Sequence, residues 1–354
     1  MIPNLPKFIL VFVLALVLAM VFSKLVIYLA YKLNILDQPS QDRKIHKQAT
    51  PLLGGLAIYG AFLITVLICW QANLLLDGRV AMSLIGWFLL AGLVLVINGY
   101  LDDKYSLAPQ ISILGPILAS IIVIVGGLKI AYITNPAGGV LYLDNLFSWG
   151  FIAVLLTFLW LMGITYTTKL LDGIDGLTSS IGLIASLVIF GVSLSWDVVG
   201  SSTSLLSVVL AGAILGFLIF NWHPAKIFLG EGGSTFIGFA LGVLSIISGS
   251  KIATALLVMG LPVLDIFWVI IKRAKKGKAL WHSDQEHLHF RMLRSGFSQK
   301  QIVLFLSAVS LSFGVISIFF TTKIKISALM IVFVLMFGLS AWLNYRLKEK
   351  HEEV

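Results

Sequence analysis

Charge is what this 354-residue chain has least of. Asp, Glu, Lys and Arg make up 12% of it against 59% hydrophobic residues, and the mean hydropathy is +1.01. So little polar surface excludes a water-soluble globule. Cysteine is almost absent as well. Cys69 stands alone in an apolar run, which rules out a disulfide framework or a thiolate metal site within one chain and leaves an inert buried thiol. Acids are scarcer than bases, 16 against 25, for a formal net charge of +9. In a chain this apolar the basic surplus is a topology signal and an attraction for anionic lipid and anionic substrates, with no reason to invoke nucleic acid. No small-residue cleavage site follows the first apolar run, so it reads as a retained span.

Apolar runs are present in abundance. A helical span needs about 20 apolar residues, and the sequence divides into about eleven runs of that size. They lie near 8–32, 52–70, 81–99, 110–127, 151–169, 177–195, 204–221, 232–249, 253–271, 301–320 and 326–345. The spacing predicts an all-α polytopic membrane protein, a single integral membrane domain over 1–354. Lys and Arg concentrate in alternate loops: Arg43, Lys44, Lys47, Lys104, Lys169, Lys226, the long basic loop 272–300 and the tail from Arg346. The positive-inside rule then sets the N-terminus outside and the C-terminus in the cytoplasm. Asn135-Pro136 and Gly138-Gly139 separate two β-prone pieces, which predicts a small extracytoplasmic hairpin near 131–143.

Against this background a few polar clusters stand out. Lys169-Leu170-Leu171-Asp172-Gly173-Ile174-Asp175-Gly176-Leu177 carries two carboxylates at helical i, i+3 spacing. A charge at membrane depth costs roughly 2.5 to 3.5 kcal/mol on insertion scales, so this pair calls for a cation or a proton. Asp102 and Asp103 are adjacent and repel each other unless a cation or a shared proton relieves them. Phe220-Asn221 leads through Pro224-Ala225-Lys226 to Gly230-Glu231-Gly232-Gly233-Ser234, where Glu231 stands at a Gly-rich helix start suited to phosphate. Mg²⁺ is usually held by one or two carboxylates plus the substrate, and Glu231 suits that role. Arg43, Lys44 and His46 precede Pro51 and Gly54-Gly55, whose backbone amides can approach a ligand closely. His287, His289 and Arg291 alternate in a way that does not suit a two-histidine zinc helix and suits a diphosphate better. Asp265 lies near the inner end of its span and calls for a polar cavity or a cationic partner.

Each cluster also has a bland reading as a solvated helix cap, a helix-dipole charge or a topology determinant. What separates the two is that all of them fall on one predicted face. Acids for a metal, bases for phosphate and a bilayer alongside together point to phosphoryl transfer to or from a lipid phosphate. A proton-coupled transporter remains an alternative, although its acids belong nearer the bilayer midplane. An inactive lipid-binding protein is another, and it has no need of the acids.

The same motifs, in order from about 37 to 294, resemble the polyprenyl-phosphate N-acetylhexosamine-1-phosphate transferase family. The Arg43-Lys44-Ile45-His46 loop and the extra eleventh run are more similar to its GlcNAc-transferring branch than to the phospho-N-acetylmuramoyl-pentapeptide branch. The resemblance implies attack of polyprenyl (undecaprenyl) phosphate on a UDP-sugar, with Mg²⁺ as cofactor and Mn²⁺ as a substitute. The product is the first lipid-linked intermediate of a cell-envelope glycopolymer. It also implies an inner (cytoplasmic) membrane enzyme with its active site facing the cytoplasm, and a homodimer. Carried over, Asp102 and Asp103 prepare the lipid phosphate, and Asp172 and Asp175 line the nucleotide pocket. Glu231 holds the metal. Arg43, Lys44, His46, Lys169, Asn221, His287, His289 and Arg291 contact substrate.

Three departures from the family pattern are visible. Asn is usual at the positions of Tyr166 and Lys169, the nearer one as a metal ligand; Asp is usual at Glu231; and the third His of the His-x-His-His run is Phe290. An ammonium cannot ligate a metal but can neutralise a diphosphate directly.

Overall fold

A computed structural model describes residues 5–39, 48–75, 80–135, 139–143, 150–196, 201–249, 252–275 and 286–352. The chain opens with α1 (Leu5–Leu33), β1 (Leu36–Asp37), β2 (Thr50–Pro51), α2 (Gly54–Gln71) and α3 (Met82–Tyr105). There follow α4 (Pro109–Ser112), α5 (Leu114–Val125), β3 (Tyr132–Thr134), β4 (Val140–Tyr142), α6 (Phe151–Leu171), α7 (Leu177–Trp196), α8 (Ser202–Asn221) and α9 (Gly230–Ile247). It closes with α10 (Ile252–Val258), α11 (Gly260–Lys275), α12 (Leu288–Arg294), α13 (Gln299–Phe319) and α14 (Thr322–Glu352). Among the described residues nine helices are long and apolar enough to cross a membrane, and a tenth span results if α10 and α11 count as one. The protein is a multi-pass helical membrane protein.

Two of the eleven expected runs depart from a straight span. Run 110–127 is split between α4 and α5. At a 1.5 Å rise per residue, α5 alone reaches about 18 Å, well short of the roughly 30 Å hydrocarbon core. Run 253–271 is bent by 78° between α10 and α11. Pro262 has no N–H to return to the Val258 carbonyl and sits at the first turn of α11, where a proline is tolerated.

α8 and α9 form the centre of the bundle, with 78% and 89% of their span buried against 28% for α1 and α14. α1 packs along α8 and α2. Its buried positions Phe8, Val11, Ala15, Ala19, Ser23, Val26 and Ala30 recur every three or four residues, one helical face. The opposite face leaves Leu10, Val13, Val17 and Val21 exposed, as a lipid-facing surface does. Tyr59 and Phe62 of α2, Phe88 of α3 and Phe236 of α9 pack edge to face. The Tyr59 hydroxyl donates to the Leu89 carbonyl at 2.8 Å.

The strands are small. β3 and β4 pair antiparallel, Ile133 opposite Leu141. β1 and β2 also pair antiparallel, Leu36 opposite Pro51, and so close the base of the first polar loop.

Candidate active site

Three helix ends and one connection meet at one end of the bundle. α3 brings Asp102 and Asp103 in its last turn, α6 ends at Leu171 with Asp172 immediately after it, and α9 begins at Gly230 with Glu231 in its first turn. α3 and α6 both pack on α9. Gly99 of α3 lies so close to Gly232 that a Cβ there would overlap the Gly232 backbone, and this approach is what draws the Asp102-Asp103 pair up to Glu231. Asp103 Oδ1 accepts the backbone N–H of Glu231 at 3.0 Å. One of the helix-start donors expected to face phosphate is therefore already taken. Gly230 adopts φ +67°, a conformation that sets the Asp103 carboxylate against it.

The charges at this centre act on one another. Asp103 feels Glu231, Asp102 and Asp172, and Lys169 acts on both Asp102 and Glu231. Lys169 Nζ lies 2.6 Å from Glu231 Oε1, with the two side chains 25% and 11% exposed. Its ammonium also sits 5.3 Å from the Tyr166 ring centroid and 3.4 Å from Ser112 Oγ. Ser112 in turn donates to Glu231 Oε1 at 3.4 Å. Asp172 accepts from Thr178, and desolvation pushes its carboxyl up to about 8, the charges of Glu231 and Asp175 adding to the effect. It is protonated at neutral pH and can donate to a phosphate oxygen.

A cavity of about 1080 Å³ opens beside this cluster, lined among others by Asp172, Asp175, Asn221, His223, Lys226 and Phe290. Asp175 Oδ2 is held by His223 Nδ1 at 2.7 Å and by the Ala225 N–H at 3.1 Å. Gln299 accepts the Asp175 N–H. Asn221 is spent on the scaffold: its Oδ1 accepts from Ser179 at 2.8 Å and its Nδ2 donates to the Ile227 carbonyl at 2.9 Å. That corrects its expected part in substrate binding to one of shaping the loop after α8. Gly54 and Gly55 are also engaged within the protein, donating to the carbonyls of Phe228 and Leu229. They lock the first polar loop to the start of α9 and leave no free amide there for a ligand.

The histidine run divides. His289 is buried beside Gly173, where an added Cβ would overlap its Nε2, and that nitrogen has no hydrogen-bond partner. Burial, with the nearby His287 contributing, pulls its pKa down to about 3, so it stands as a neutral ring under the Asp172-Gly173 turn. His287 Nδ1 lies 2.9 Å from Asp265 Oδ2, and Asp265 Oδ1 accepts the Leu288 N–H. Asp265 thus has both of its oxygens engaged within the protein. Arg291 is 2% exposed and donates to the Ser340 hydroxyl and carbonyl and to Asn344. Its expected grip on a diphosphate is replaced by a grip on α14. Arg43, Lys44 and His46 lie outside the described residues.

Ser112 and His223 were not singled out by sequence. A serine in an apolar run carries no signal. His223 stands within the Asn221 to Lys226 run and was legible only as its neighbour.

A divalent ion does not fit this donor set as it stands. Glu231 Oε1 already holds an ammonium, and Asp103 Oδ1 already accepts an N–H. Among the described residues no three of His, Cys, Asp and Glu converge as a metal-ligand group.

Comparison with known proteins agrees with the geometry. Residues 85–249 match the model for glycosyl transferase family 4. The chain is 30% identical over 335 residues to a probable undecaprenyl-phosphate N-acetylglucosaminyl 1-phosphate transferase of Bacillus subtilis, covering 93% of this chain and 89% of that one. It is 32% identical over 339 residues to a decaprenyl-phosphate N-acetylglucosaminephosphotransferase of Mycobacterium leprae, covering 88% and 84%. A phospho-N-acetylmuramoyl-pentapeptide-transferase of Halalkalibacterium halodurans is 26% identical over 325 residues, 88% and 95% of the two chains. With such identity over most of the chain, and with the family match spanning Asp102, Asp103, Asp172, Asp175 and Glu231, the chain belongs to glycosyl transferase family 4, among its polyprenyl-phosphate N-acetylhexosamine-1-phosphate transferases.

Proposed function

We propose that this protein transfers N-acetylhexosamine 1-phosphate, specifically GlcNAc 1-phosphate, from its UDP-sugar to polyprenyl phosphate. The observation that carries the reading is the meeting of Asp102, Asp103, Asp172, Glu231 and Lys169 at the edge of a cavity at one end of an apolar bundle. A soluble nucleotide sugar and a lipid phosphate can approach each other there. The cavity, about 1080 Å³, is ample beside the roughly 300–1,000 Å³ of ordinary small-molecule sites.

The step is a single displacement. An oxygen of the lipid phosphate forms a bond to the β-phosphorus of the UDP-sugar, and the bond from that phosphorus to the bridging oxygen breaks with its electron pair leaving on UMP. Asp102 or Asp103 takes the proton of the lipid phosphate, if it carries one, before attack. The neutral Asp172 carboxyl donates to a diphosphate oxygen, and Lys169 offsets negative charge as it shifts toward UMP. Asp175, held by His223, orients the nucleotide.

The Lys and Arg asymmetry supports an N-terminus outside and a catalytic face in the cytoplasm, in a cell inner membrane. The β3–β4 pair then lies outside. A homodimer is what the family resemblance adds.

The test is transfer of radiolabel from UDP-GlcNAc to undecaprenyl phosphate by the purified protein in detergent, with UMP measured alongside. Labelled lipid and equimolar UMP are the expected result. No transfer from UDP-GlcNAc with transfer from UDP-MurNAc-pentapeptide would move the protein to the muramoyl branch; no transfer from either would overturn the reading.

A further inference from the structure

Three of the residues that depart from the family pattern, Tyr166, Lys169 and Glu231, meet in space. Lys169 Nζ is 2.6 Å from Glu231 Oε1 and 5.3 Å from the centre of the Tyr166 ring. Ser112 Oγ lies 3.4 Å from both Lys169 Nζ and Glu231 Oε1. The three N–H donors of the ammonium are thus shared among a carboxylate, a hydroxyl and an aromatic face, a full set of partners for a partly buried cation. Tyr166 and Lys169 are one helical turn apart on α6, so the ring and the charge are presented together. The longer side chain at 231 lets the carboxylate reach across from α9. Asp102 also feels this ammonium, and Asp102, Asp103 and Glu231 repel one another.

We infer that Lys169 is the resident cation of this centre. Its ammonium, held by Glu231, Ser112 and the Tyr166 ring, occupies the place where a divalent ion would have to bind and supplies the positive charge for the diphosphate. A divalent ion ligating Glu231 would have to stand against a tethered ammonium on the same carboxylate or displace it, and the local concentration of that ammonium is fixed by the chain itself. Divalent binding is therefore weak in this protein, and transfer runs on the lysine's charge. The activity part of this inference rests on the proposed transfer reaction; the binding part does not.

The decisive experiment is a titration of the purified full-length protein in detergent with Mn²⁺, the free ion being followed by electron paramagnetic resonance. Wild type is compared with Lys169→Asn, with the double variant Lys169→Asn/Glu231→Asp and with Lys169→Arg. The double variant should bind Mn²⁺ at least about tenfold more tightly than wild type, and its melting temperature should rise with Mn²⁺ while that of wild type stays fixed. Lys169→Arg, which keeps the charge, should bind as weakly as wild type. Should Lys169→Asn fail to fold because Glu231 is left unpaired, the double variant and Lys169→Arg still decide the matter. Mn²⁺ binding to wild type as tight as to the double variant would overturn the inference. In the transfer assay, wild type should retain activity within about tenfold when chelator replaces Mg²⁺, and a larger loss restored by Mg²⁺ would also overturn it. Absence of transfer under every condition would count against the proposed reaction, while the Mn²⁺ titration would still judge the cation.

Discussion

Asp103 accepts the amide hydrogen of Glu231 at 3.0 Å. One acid expected to act on substrate therefore also closes the first turn of the helix that carries another. The two roles separate by substitution. Asp103→Asn keeps a carbonyl oxygen to accept the amide but cannot take a proton, so transfer should fall by about 10²–10³ while the melting temperature stays near wild type. Asp103→Ala should lose the cap as well, at a cost of about 1 kcal/mol in unfolding free energy. Thermal melts beside radiolabel transfer distinguish the two.

Asp172 is a donor rather than a base. With its carboxyl pushed up to about 8 by desolvation, it carries its proton at neutral pH and loses it as pH rises through 8. Transfer by wild type should decline on that alkaline side. Asp172→Asn, whose amide still donates, should retain transfer within about tenfold and lose this decline, whereas Asp172→Ala should lose about 10²-fold. A pH series of kcat for the three proteins checks it.

His289 makes stability depend on acid. Its folded pKa of about 3 lies below the ordinary value of 6.5, so between those limits the unfolded chain binds the proton and the folded chain does not. Its contribution to stability is complete above about 6.5 and drains away as pH falls toward 3, by at most about 1.4 kcal/mol per pH unit. Melting temperatures from pH 7 to pH 4 should fall less steeply in His289→Phe than in wild type.

Arg291 serves the fold and not the substrate. Removing a buried guanidinium that donates to Ser340 and Asn344 strands the buried Ser340 acceptors, at about 1–3 kcal/mol. Arg291→Ala should lower the melting temperature while the protein that remains folded keeps its KM for the UDP-sugar. A raised KM at unchanged stability would restore the diphosphate role.

Most of the membrane spans were legible because lipid demands long apolar runs and little else mimics them. The exceptions depend on local backbone chemistry. Pro262 lets the ninth run bend between α10 and α11, and the fourth run is divided between two helices too short to cross. The acids of the site were legible for the opposite reason, since Asp102, Asp103, Asp172, Asp175 and Glu231 are costly at a membrane edge without a purpose. What sequence left open was which polar groups face substrate and which face the protein. Asn221, Arg291 and the Gly54-Gly55 amides look the same in either case, and only their partners on α7, α14 and the start of α9 decide. Ser112 gave no warning, because one hydroxyl in an apolar helix has no pattern to break.

The ion pair between Lys169 and Glu231 also has an order in time. A chain made from its N-terminus inserts α6, with Lys169 in its last turn, before α7, α8 and the start of α9 exist. Until Glu231 is synthesised the ammonium has no carboxylate from α9 to meet, and its place at the end of the helix lets it reach headgroup water meanwhile. The catalytic centre is thus assembled late in translation, and a nascent chain stalled before α9 would carry Asp102, Asp103, Asp172 and Lys169 in the membrane without a centre for them to form.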